Sequence, residues 1–105
     1  MCARTSICIG TDPFHTPGWL VQLGTHRFAA AGLSVAVDRP YSLTLLPAEH
    51  QGRQPLVHGI MIEVNRRLYM HEGSGARGAA FAEIARIVRA VVLEVLTECR
   101  SQVVA

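Results

Sequence analysis

Three short apolar runs, each halted by a residue that interrupts regular structure, limit what this chain can fold into. "SICIG" (6–10) ends in glycine, "LSVAVD" (33–38) runs into "DRP", and "HGIMIEV" (58–64) stops at Asn65. Runs of this length, apolar at consecutive positions and rich in Ile and Val, are the pattern of strands buried on both faces. Between the first two, "TDPFHTPG" (11–18) holds two prolines, a glycine and an aspartate and reads as a turn. Pro17 suits the opening of a helix, with Thr16 as its cap. Apolar residues at 20, 21, 23, 28 and 31 carry a mixed helical pattern to near Gly32, weakened at Gly24. Residues 39–57 contain three prolines and no sustained period, a long irregular connection of the kind that often carries binding elements. After a loop at 71–78, Phe81, Ile84, Val88, Val91, Val95 and Leu96 recur every three or four residues. Charged side chains lie largely opposite, as in an amphipathic helix.

The order strand, helix, strand, long loop, strand, helix predicts a single α/β domain. It would have a partial, mostly parallel sheet of about three strands and two flanking helices, the first β-α-β unit having a right-handed crossover. Three strands and two helices make only a fragment of such a sheet, so at least one apolar edge is expected to lie open unless something pairs with it.

Composition narrows the function classes. Half of the 105 residues are apolar and 17% are charged, which suits a packed core. No apolar stretch approaches the roughly 18 uninterrupted residues a membrane span needs, and "MCARTSICIG" lacks the apolar core of a secretory signal, so the expectation is a cytoplasmic protein that does not engage a membrane. The formal charge is +2, and all ten basic residues are arginines scattered along the chain, not the basic stripe that nucleic acid would require. Cys2, Cys8 and Cys99 are widely spaced with no C-x-x-C, which predicts reduced thiols rather than a disulfide framework. His15, His26, His50, His58 and His71 form no H-x-x-x-H pair, so a complete zinc site from this chain alone is not expected. "GSGARG" (73–78) matches G-x-G-x-x-G, but no strand immediately precedes it and no second strand follows, so it reads as a flexible loop.

In open α/β sheets ligands bind beyond the carboxyl ends of the strands. Three segments of the chain, one after each strand, arrive there and bring Asp12, His15, Arg39, Tyr41, Glu63, Asn65, Arg66 and Tyr69 to one crevice. Glu63 stands out as a lone carboxylate in an apolar strand. Either it pairs with Arg66, Arg67 or Arg39, or it is delivered, partly desolvated, to accept a proton from water as a general base. Arg39 could hold a substrate carboxylate through a two-pronged pair, or could simply be a surface arginine. His15 could face the crevice or bond to nearby backbone.

"CIGTDPFHTP", "VAVDRPY" and "IMIEVNRRLYM" together resemble the C-terminal half of the N-formylglutamate amidohydrolase family, itself similar in fold to the zinc carboxypeptidases. The resemblance runs from about Ile7 into the last helix. It implies a zinc-dependent hydrolase that cleaves the amide of an N-formyl or N-acyl amino acid. Glu63 would be its catalytic base, and Arg39, His15, Asn65 and Arg66 its substrate-binding residues. The family's metal ligands are expected in "PHSG"-like and "DCHS"-like segments absent from this sequence, so zinc is expected with its ligands mostly elsewhere and none assigned here. Ser42-Leu43, Gln51 and His71 depart from the family pattern. The implied partners are a small N-acyl amino acid and either a complementing N-terminal half or a second copy of the chain. The alternative is a non-catalytic module that acts through self-association or by pairing its sheet edge with a partner.

Overall fold

The computed structural model describes residues 5–39 and 42–104, with side chains to residue 102. In chain order the elements are strand β1 (Ile7–Gly10), helix α1 (Gly18–Ala30), β2 (Val35–Val37), β3 (Met61–Val64), a 3-10 turn (Arg66–Leu68) and helix α2 (Phe81–Val104). The sheet order is β2-β1-β3.

The sheet is mixed rather than mostly parallel. β1 and β2 are parallel, as the β-α-β unit requires, but β3 runs antiparallel to β1, with Ile7 opposite Val64 and Gly10 opposite Met61. The cause is the irregular connection. A parallel return needs a crossover, usually helical, to carry the chain back to the starting end of the sheet. Residues 42–60 hold no helix and instead pass over the carboxyl end of β1. There the Leu43 N–H donates to Thr11 O (2.9 Å) and the Gly59 N–H donates to His15 O (3.0 Å). The chain therefore enters β3 from the end at which it left β2.

Both helices pack on one face of the sheet, not one on each. Ile7 and Ile9 point into a core with Leu20 and Phe28 of α1 and Val91 and Val95 of α2, flanked by Val35, Ile62 and Val64. Burying a side chain of this size contributes about 1.5–3 kcal/mol. Arg27 of α1 and Glu94 of α2 pair across the outside of the two helices. Side chains alternate between faces along a strand. The other face therefore carries Cys8, Gly10, Ala36, Met61 and Glu63, and no helix of the described residues covers it.

Gly24, the weak point of the α1 pattern, lies where the helix meets the sheet: a Cβ there would sit 3.2 Å from Ile9 Cδ1. Helix propensity is given up for close approach. Thr16 does not cap α1. Pro17 occupies the N-cap position without a side-chain cap, and the Thr16 hydroxyl instead donates to Gly59 O at 2.6 Å. Cys8 is disulfide-bonded, against the expectation of reduced thiols, whereas Cys99 is a free thiol. No helix of the described residues is long and apolar enough to cross a membrane.

Candidate functional site

The direction of β3 divides the expected site in two. Asp12, His15 and Arg39 follow the carboxyl ends of β1 and β2. Asn65 and Arg66, which follow β3, lie at the opposite end of the sheet, where the Asn65 N–H donates to Ser6 O just before β1 (2.9 Å). The single crevice predicted for all three strand ends is therefore not formed. Tyr41 lies outside the described residues.

At the first end, Asp38 is the organising residue. It leaves β2 in the left-handed region (φ 56°), which a short polar side chain tolerates better than most. Its carboxylate then takes two hydrogen bonds from one residue, the Thr11 N–H (2.8 Å) and the Thr11 hydroxyl (2.7 Å). This clamp ties the end of β2 to the end of β1 and fixes the point from which the exposed Arg39 departs. The sequence marked Asp38 only as a strand stop. The signal in hindsight is a hydrogen-bonding acid between an apolar run and a proline-limited turn.

Next to it, Asp12 forms a turn, its Oδ1 accepting the N–H groups of Phe14 (2.8 Å) and His15 (3.0 Å). His15 is wholly buried, at 0% exposure. Its Nδ1 lies 2.7 Å from Val57 O and its Nε2 2.9 Å from the Gly52 nitrogen. The structure shows neither role as the sequence posed it: His15 bonds backbone, but that of the long connection 37 and 42 residues further on rather than of its own loop, and both ring nitrogens are taken.

At the other end, Asn65 caps the 3-10 turn. Its Oδ1 accepts the Arg67 N–H (3.1 Å) and its Nδ2 donates to Thr5 O (3.2 Å). Arg66 is exposed on that turn. Tyr69 is turned toward α2, edge-on to Phe81. It lines an apolar recess of about 390 Å³ with Val64, Ile84 and Arg89, on the helix-bearing side of the sheet.

Glu63 belongs to neither cluster. It sits within β3, opposite Cys8, half-buried on the face without helices. Its carboxylate makes no hydrogen bond or ion pair with any described residue; Arg67 reaches Glu72 instead (3.9 Å). The structural explanation for a carboxylate in this strand, a pair with Arg39, Arg66 or Arg67, is not realised.

Among the described residues no three His, Cys, Asp or Glu side chains come close enough together to hold a metal ion. Of the histidines among them, the buried His15 does not fit a metal ligand, since both its ring nitrogens are committed to backbone.

A profile of the N-formylglutamate amidohydrolase family matches residues 2–70. Comparison with curated proteins gives no match. Among solved structures, the chain is similar to an N-formylglutamate amidohydrolase from Ralstonia eutropha JMP134, with a TM-score of 0.80 and 25% sequence identity. That match covers 93% of this chain and 35% of the other, so the chain spans about a third of its structural neighbour. With the family profile covering more than half of the chain and the three-stranded sheet and its helices following the same fold, the chain belongs to the N-formylglutamate amidohydrolase family.

Proposed function

We propose that this chain is the carboxylate-bearing part of a hydrolase that cleaves the amide bond of an N-formyl or N-acyl amino acid, with Glu63 taking the proton from the attacking water. The observation that carries the reading is a half-buried glutamate, without a partner among the described residues, on the face of a family-type sheet that neither helix covers. A carboxylate so placed is poised for proton transfer once a neighbouring surface completes the pocket. On N-formyl-L-glutamate the products are formate and glutamate, the water proton passing through Glu63 to the leaving amine.

Arg39 is proposed to anchor a substrate carboxylate, and Asn65 and Arg66 to border the substrate from the far end of the sheet. His15 contributes by holding the loop. Zinc, if the reaction uses it, would draw its ligands from residues outside those described, and no step is derived through it.

Formate release from N-formyl-L-glutamate tests the reading. The chain alone, with or without added zinc, is expected to show no turnover. An assembly supplying the rest of the fold is expected to be active and to lose about 10²–10⁴-fold in rate on Glu63→Gln. Full activity of that variant, in an assembly whose parent is active, would remove Glu63 from the mechanism. Robust zinc-dependent turnover by the chain alone would overturn the proposal that ligands come from elsewhere.

A second reading, a non-catalytic module that pairs with a partner or a second copy, draws support from the sheet face that neither helix covers and from β2 and β3 both being edge strands among the described residues. Sedimentation over a range of concentrations separates the two. A monomer throughout, without zinc affinity, counts against the module.

A further inference from the structure

His15 reaches the middle of the long connection, and the chemistry of its two contacts fixes its protonation state. Val57 O can only accept, so Nδ1 must carry the proton; the Gly52 N–H can only donate, so Nε2 must be bare. The buried ring is therefore held as one neutral tautomer by two backbone groups of the same loop. We infer that His15 is a proton-operated latch for residues 52–57. Protonation at Nε2 would set an N–H against the Gly52 N–H inside a site with 0% exposure, and the loop must then release.

The ends of the loop are fastened separately. The Leu43 N–H is bonded to Thr11 O, and Gly59 is held by the His15 carbonyl and the Thr16 hydroxyl. The latch therefore governs the middle of the connection alone, and its opening need not unfold the sheet. It is closed while the ring is neutral and opens as acid protonates it.

The charged and titratable groups around it have other partners or lie apart. Asp12 Oδ1 is occupied by the Phe14 and His15 N–H groups. On the loop, Glu49 lies 3.8 Å from His50, the His58 ring packs edge-on against Trp19, and Arg53 is exposed. α1 brings only His26 and Arg27, late in the helix and exposed. No carboxylate bonds the ring to hold an imidazolium in place.

The test is amide hydrogen exchange by NMR on the full chain at about pH 8 and about pH 5, corrected for intrinsic exchange. His15 protonation is followed in the same samples by its ring ¹⁵N shifts. Losing one such bond predicts that Gly52 protection falls by about tenfold or more on acidification. Gly59 and the α2 amides should keep theirs, and ¹⁵N shifts at high pH should report an Nδ1–H ring. In His15→Gln, which does not titrate, Gly52 protection should be the same at both values. Unchanged Gly52 protection with a protonated ring overturns the inference. So does a ring that stays neutral until the whole protein unfolds, or an Nε2–H tautomer at high pH.

Discussion

Cys8 and Glu63 stand directly opposite one another in the antiparallel β1–β3 ladder, on the face of the sheet that neither helix covers. Cys8 is buried and disulfide-bonded, whereas Glu63 is half-buried and its carboxylate has no partner among the described residues. Breaking no interaction, Glu63→Gln should change unfolding stability by no more than about 0.5 kcal/mol in urea titrations. A loss above about 1.5 kcal/mol would show that the carboxylate holds the fold together, and would argue against its being kept for chemistry.

The Asp38 clamp should behave in the opposite way. Asp38→Ala removes the acceptor of two hydrogen bonds and leaves an alanine at φ 56°. The combined loss is expected to reach about 1–3 kcal/mol in the same titrations. Asp38→Asn keeps one acceptor oxygen and tolerance of the left-handed region, so it should lose clearly less. Equal losses for the two variants would mean that the carboxylate geometry is not what matters.

Gly10 is the point where the long connection presses on the sheet. A Cβ there would lie 2.5 Å from Leu43 O and 2.6 Å from Met61 Cε. The methionine can swing aside, but the backbone carbonyl of a residue bonded to Thr11 cannot do so freely. Gly10→Ala should therefore destabilise by about 1–3 kcal/mol. It should also raise exchange at the Leu43 amide more than at α2 amides. A variant as stable as the parent would show that the loop lies further from β1.

Cys99 faces the core side of α2, where burial first and the neighbouring Glu98 second push its thiol above the usual range. Because the thiolate is the reactive form, alkylation by iodoacetamide at neutral pH should be slower than for a free thiol and should accelerate as pH rises. Glu98→Gln removes the charge repulsion and should speed the reaction at a given pH. No difference between the two proteins would leave burial as the sole cause.

The local chemistry of the chain was legible in its sequence. Three apolar runs with their stop residues located three strands. The heptad-like spacing from Phe81 to Leu96 located α2, and the "IGTD-x-FHTP" and "IEVNRRLYM" segments carried the family resemblance. Those features depend on side-chain type and short-range spacing, which a single chain displays directly. The direction of β3 was decided elsewhere, because a four-residue apolar strand pairs equally well either way and reads the same in both. Only the path of residues 42–60 across Gly10 and the β1–α1 turn settled it, through contacts between positions some 30 to 45 apart in sequence. Which face Glu63 occupies, and whether an arginine meets it, followed from that choice. Likewise, the sequence offered His15 only the crevice or nearby backbone, and the loop folding over it in three dimensions gave its ring distant backbone instead.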